Sequence, residues 1–159
     1  MLTEHALPHT KTNPSSGTVA AEVQGESTFN ADGLNFAYDY YTTDKKLRLT
    51  LSAVQTIEGK QGNKVIRGLE MVFNSDIVSG THSIKDGKFS ATWWKMWANG
   101  DDTLFHTYNA DDGSITLSFD HEQELYEGNF SFESKGPGPA SAIIKSGSFS
   151  IEGRDNFTL

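Results

Sequence analysis

The chain has no cysteine, which excludes disulfides, thiolate nucleophiles and cysteine-ligated zinc or iron–sulfur centres. Basic residues are also scarce: 13 Lys and Arg stand against 21 Asp and Glu, a formal charge of −8 with an isoelectric point near 5.0. A surface of that sign repels phosphate backbones and anionic lipid, which argues against nucleic-acid binding. It suits solubility, and it suits a basic protein partner. Hydrophobic residues make up only 36% of the chain, and no stretch keeps a 3.6-residue apolar period for three turns, so little helix is expected.

Met1 to Gly17 lacks the basic start and apolar stretch of a signal peptide, and it is too polar to span a membrane. With Met1 as the native start the expected compartment is the cytoplasm; a removed signal peptide would make the protein secreted or periplasmic. There is no complete EF-hand loop, no His-rich zinc spacing and no Gly-x-Ser-x-Gly elbow. No metal or cofactor is therefore expected. Asp101-Asp102 and Asp111-Asp112 read as turn residues.

What is present is rings, glycines and period-two alternation. Ten Phe, five Tyr and three Trp accompany 15 Gly, so large rings carry much of the burial. Leu47, Leu49, Leu51 and Ala53 alternate with Lys46, Arg48, Thr50 and Ser52, and Ile115, Leu117 and Phe119 alternate with Ser114, Thr116 and Ser118. Turn chemistry punctuates these runs. Asp86-Gly87 and Asn99-Gly100 are two-residue hairpin signals, because both central positions of a type I′ turn need positive φ. Asp111-Asp112-Gly113 and the polar run His121 to Glu124 mark further reversals, as do Thr43 to Lys45 and Gly59 to Asn63, and Gly136-Pro137-Gly138-Pro139 forms a loop.

The expected strands lie near 18–24, 34–42, 46–56, 64–74, 77–85, 88–98, 103–109, 114–120, 125–133 and 142–151, with a further short one near 154–158. About ten strands at this spacing make an all-β domain over residues 18–159, behind a flexible N-terminal tail of residues 1–17. The succession of hairpins favours an antiparallel meander forming a β-barrel over a two-sheet β-sandwich. A local pattern of Gly, any residue, a ring and Ser occurs as Gly80-Thr-His-Ser, Gly87-Lys-Phe-Ser, Gly128-Asn-Phe-Ser and Gly147-Ser-Phe-Ser. It reads as a glycine for close approach followed by a ring for the core.

The tight turns allow the register to be traced. It pairs His82 with Ala91, Gly80 with Trp93, Ala91 with Tyr108, Trp93 with His106 and Lys95 with Leu104. Continued, it pairs Tyr108 with Ile115, Leu117 with Gly128, Phe119 with Tyr126 and Ile115 with Phe130. This places His82, Trp93, Lys95, His106, Tyr108 and Tyr126 on one inward face, where they would line the interior of a barrel. The opposite face is hydroxyl-rich and interrupted by Trp94, Met96 and Phe105, an aromatic platform of the kind that both sugar-binding domains and protein interfaces use.

These residues lead to a non-catalytic binding domain holding a small, partly apolar ligand inside the barrel. One alternative is an acidic protein-interaction module, such as an inhibitor or immunity protein, using Trp94, Phe105 and Met96. The other is a small barrel enzyme with His82 or His106 as proton carrier. No inward Asp or Glu is available to orient those histidines, so catalysis is the weaker expectation.

Overall fold

The structure is a computed structural model that describes residues 14–41, 44–58, 63–99, 101–135 and 141–155. In chain order the strands are β1 (Ser16–Val23), β2 (Phe29–Asn30), β3 (Gly33–Tyr41), β4 (Lys46–Glu58), β5 (Lys64–Asn74), β6 (Gly80–Ser83), β7 (Phe89–Asn99), β8 (Asp102–Asn109), β9 (Asp112–Asp120), β10 (Leu125–Ser134) and β11 (Ala142–Glu152). A 3₁₀ turn spans Ile84–Asp86. Among the described residues no helix is long and apolar enough to cross a membrane.

The strands form two antiparallel sheets. Sheet 1 has the order β2-β1-β11-β10-β9-β6 and sheet 2 the order β3-β4-β5-β7-β8. The sheets are not closed into a barrel, so the sandwich, not the expected barrel, describes the fold. Most expected strands lie close to their observed bounds. The strand expected at 77–85 shortens to β6 and its 3₁₀ turn, β1 begins at Ser16, and the two-residue β2 was not anticipated. Past β11, among the described residues, only Asp155 bridges, to Ala37. The rest of the expected terminal strand, most of the N-terminal tail, the Gly136–Pro139 loop and the turn residues Thr43, Gly59 to Gln61, Gly62 and Gly100 lie outside the described residues.

Two expected hairpins do not form, and both failures are changes of sheet. Asp86-Gly87 does reverse the chain, and Gly87 does take positive φ, at 74°. It ends a 3₁₀ turn instead of a hairpin, because Ser83 caps that turn: its hydroxyl accepts from Lys85 N at 3.2 Å while Asp86 Oδ2 accepts from Ser83 N at 3.0 Å. β6 then pairs with β9 (His82↔Ile115, Gly80↔Leu117), and β7 pairs with β5 (Met71↔Ala91, Leu69↔Trp93). The second failure is at Asp111, whose N–H donates to Glu133 O on β10 at 2.9 Å, carrying the chain from sheet 2 to sheet 1. Tyr108 therefore does not pair with Ile115. The β9–β10 register is as expected, with Phe119↔Tyr126, Leu117↔Gly128 and Ile115↔Phe130. The β7–β8 register differs by two residues: Trp93 pairs with Tyr108 and Lys95 with His106, while Asn99 pairs with Asp102. A slip of two preserves which face each side chain takes.

The single expected inward face is thus divided between two sheets that face each other. Rings interlock across the gap. Phe36 of sheet 2 meets Tyr126 at 4.6 Å and Phe119 at 6.1 Å, Phe73 meets Phe119 at 5.5 Å, and Trp93 meets the edge of Phe29 at 5.3 Å. Each such buried ring contributes roughly 1.5–3 kcal/mol through removal from water.

One irregularity makes β11 fit. Its inward residues switch from the even positions Ala142 and Ile144 to the odd positions Gly147, Phe149 and Ile151. An extra residue at Lys145–Ser146 shifts the register against both β10 and β1. Ser146 takes φ 50° there, the mark of a bulge that returns both halves of the strand to the core.

Two of the glycine-ring motifs find each other across the β10–β11 ladder. Gly128 pairs with Phe149 and Phe130 with Gly147, so each glycine lies beneath the other motif's ring. Gly80 does not do this for Trp93. It has open space around it and sits in the other sheet.

Candidate functional site

The six residues expected to line one cavity fall in three places. Trp93, Lys95, His106 and Tyr108 remain together on β7 and β8. His82 lies on β6, and its Nε2 donates to the Val78 carbonyl at 2.7 Å, which occupies that nitrogen with a structural bond. Tyr126 lies on β10 among Phe36, Phe119 and His121.

Within the first group, Trp93 is 1% exposed and its indole N–H has no partner among the described residues. The Lys95 ammonium bonds to Glu26 at 3.0 Å, and the exposed His106 ring lies 5.2 Å from that of Trp97. Three open hollows of about 260, 530 and 410 Å³ lie along sheet 1, and none is lined by any of the six. Among the described residues no three His, Asp or Glu side chains converge as a metal site.

Two features of the interior had escaped the sequence reading. The first is Arg67, 1% exposed on β5. Its guanidinium donates to Ser27 O at 2.8 Å, Thr28 O at 2.9 Å and Gln55 Oε1 at 2.6 Å, and it lies beside the Phe29 and Trp93 rings, 5.9 and 5.6 Å from their centroids. Burial lowers its pKa, and Glu26 at 3.7 Å opposes that shift. Arg67 thereby ties the β1–β2 connection down over sheet 2. A signal existed: Arg67 interrupts the inward row Leu69, Met71, Phe73 at the correct parity.

The second feature is the other end of the sandwich, where Tyr38, His121, Tyr126 and Arg154 cluster. Arg154 lies 5.1 Å from the Tyr38 ring, and the Tyr126 hydroxyl is 3.4 Å from His121 Nδ1. Burial raises Tyr38 and Tyr126 above the usual phenol range. Burial, with the Arg154 charge adding to it, lowers His121. Both phenols therefore stay protonated, and His121 is held neutral.

Next to this cluster Asp155 accepts from Phe36 N at 2.9 Å and Ser15 N at 3.0 Å and returns its own N–H to Phe36 O at 2.7 Å. The arrangement fastens Ser15 and Asp155 to β3. His121 and Arg154 carried no sequence signal, since both stand outside regular strands.

The outer face of sheet 2 presents a different surface. Trp94 lies flat over Gly68 on β5, where a Cβ would come within 2.0 Å of the indole. Gly68 is therefore the seat that lets a tryptophan lie close against the sheet. Met96 pairs with Phe105 across β7–β8, and the Phe105 ring reaches diagonally to Trp94, 5.6 Å away at a tilt of 32°. Phe105 is 58% exposed, while Trp94 and Met96 are half-buried. The structure brings all three together as expected.

Fold and surface together define an antiparallel β-sandwich with an aromatic outer patch beside one edge of a sheet. No protein-family model, curated protein or solved structure matches this chain.

Proposed function

We propose that this domain is a non-catalytic protein-interaction module whose contact surface is centred on Phe105, Trp94 and Met96. The observation that carries it is the pairing of a 58% exposed Phe105 with a Trp94 seated in the Gly68 gap. A large ring displayed on a rigid support loses little conformational entropy on binding, and such anchors dominate interface energies.

The interior-ligand alternative draws less support, because the space around Trp93 and Tyr126 is filled by Phe29, Phe36 and Phe119. Histidine catalysis also draws less: among the described residues no carboxylate bonds to His82 or His106, and His82 bonds instead to the Val78 carbonyl.

The test compares wild type with Phe105→Ser as baits in extract of the source organism, quantified by mass spectrometry. A partner retained by wild type and depleted about thirtyfold with Phe105→Ser, the loss of a hot spot near 2 kcal/mol, is the expected result. Equal recovery by both baits at equal thermal stability sinks the proposal. Native mass spectrometry showing a tightly held small molecule would return the ligand-carrier alternative.

A further inference from the structure

A sandwich has four sheet edges, and three of these are short or covered. In sheet 1, β2 has only two residues and β6 only four. In sheet 2, β3 is capped at its middle by Asp155, through its bridge to Ala37 and its bonds with Phe36. The fourth edge, β8, is eight residues long and regular throughout its pairing with β7. It has none of the devices that discourage strand addition: no Lys, no Pro and no bulge.

The phase of its hydrogen bonds follows from the ladder. Ala110 N–H donates to Ala91 O, and in an antiparallel pair alternate residues exchange both bonds. Leu104, His106 and Tyr108 therefore bond to β7, while Thr103, Phe105 and Thr107 turn their N–H and C=O groups outward. The residue at the centre of the aromatic patch is also at the centre of the free edge.

From this we infer that β8 is a docking edge for an extended segment of a partner protein, uncharged in its middle and carrying Lys or Arg at both ends; this deepens the interaction-module proposal and rests on it. The charges come from the flanks. Thr103 to Ala110 carry no Asp, Glu, Lys or Arg, but Asp101 and Asp102 precede them and Asp111 and Asp112 follow. A segment laid antiparallel along β8 meets apolar and hydroxyl side chains over its middle and the Asp101 and Asp102 carboxylates at one end. Just past Ala110, at the other end, is Asp111, whose carboxylate accepts from Lys135 N as the chain crosses to sheet 1.

The same pattern disfavours a second copy of this chain. Two-fold pairing of β8 with itself sets the acidic start of each strand against the acidic exit of the other, between chains that each carry −8. A basic-ended strand has no such conflict.

The test is amide hydrogen exchange by NMR on the full chain with capped peptides of the sequence Lys-Thr-Val-Thr-Phe-Thr-Val-Lys. In the free protein the Thr103, Phe105 and Thr107 amides exchange fast. Saturating peptide should slow these three by about tenfold or more and leave Leu104 and His106 unchanged. The same peptide with Glu at both ends should give no protection.

Thr107→Pro removes an outward N–H without breaking the bonds to β7, so it should abolish protection at Thr103 and Phe105. Should that variant not fold, the Lys peptide N-methylated at alternate amides tests the same bonds and should likewise protect nothing. Absence of alternate protection overturns the inference, and so does equal protection by the Glu peptide. Slow exchange of the three amides in a free protein that sediments as a dimer also overturns it, in favour of a second copy. Movement of the Trp94 indole resonance without edge protection overturns strand addition while leaving the aromatic contact surface standing; loss of both responses removes both.

Discussion

The reciprocal glycine–ring pairs on β10 and β11 give the packing argument its sharpest test. Gly147 faces Phe130, and a Cβ at Gly147 would lie 2.2 Å from Phe130 Cε2. The ring has little room to retreat. Phe130 is 5% exposed, and the rings of Phe132 and Phe149 each lie 6.3 Å away. Gly147 does not occupy the positive-φ region, unlike Ser146 before it, so Ala there carries no backbone strain.

In open space Gly147→Ala would stabilise the domain by about 0.4–1 kcal/mol through the unfolded chain. Against Phe130 the overpacking cost is about 1–3 kcal/mol, which leaves a net loss of about 1–2 kcal/mol. Urea denaturation followed by tryptophan fluorescence reads this as a lower midpoint at unchanged slope. The cause is isolated by a double-mutant cycle. With Phe130→Leu in place the Cβ has room, and Gly147→Ala should become neutral or stabilising, a coupling of about 1 kcal/mol or more. A Gly147→Ala protein as stable as wild type, or the same loss in both backgrounds, would refute the reasoning.

Arg67→Met should cost about 1–3 kcal/mol by thermal denaturation, since it removes three part-buried hydrogen bonds, to the Ser27 and Thr28 carbonyls and Gln55 Oε1, that hold the β1–β2 connection to sheet 2. Arg67→Lys should recover less than half of this, because one ammonium cannot match the geometry of a forked donor. His121 has a folded pKa below its unfolded value of 6.5, so its contribution to stability is complete above about pH 6.5. That contribution declines as pH falls through the folded value, as the unfolded chain takes up the proton first. His121→Phe should flatten the melting temperature across that acid range, and an unchanged pH profile would mean that His121 is not the group responsible.

Strand positions were legible because they depend on period two and on local turn residues. The inward side chains of β4, β9 and β10 follow from alternation alone, and alternation survives a register error of two, which is why Trp94, Met96 and Phe105 share a face despite the slip in β7–β8. The choice of sheet was not legible. Asp86-Gly87 satisfies the demands of a hairpin turn and of a 3₁₀ C-cap equally well, and what separates them is β9 as a partner for β6, some thirty residues distant in sequence. The bulge at Lys145–Ser146 was hidden for a similar reason, since the parity change from Ile144 to Gly147 shows only once the core side is known. His121 and Arg154 are functional-looking only through neighbours that tertiary packing supplies.

The changes of sheet that were hardest to foresee are also what produces the open edge. Had Ala110 to Gly113 closed a hairpin, β9 would cover the outward amides of Thr103, Phe105 and Thr107, and β8 would be an interior strand. The chain instead leaves sheet 2 at Asp111 and sets β9 between β10 and β6 in sheet 1. That move gives β9 partners on both sides, fills the core with Ile115 and Leu117, and, among the described residues, leaves β8 with one partner only. An unprotected edge carries an aggregation hazard that short strands, bulges and lysines normally remove. Here the other three edges are short or capped, and the fourth is left regular, uncharged in its middle and acidic at its flanks. Net charge on the whole chain and the carboxylates at both ends of β8 oppose association between copies, while a basic-ended strand meets neither obstacle. The edge is thus guarded by charge against its own kind and left open to one kind of partner.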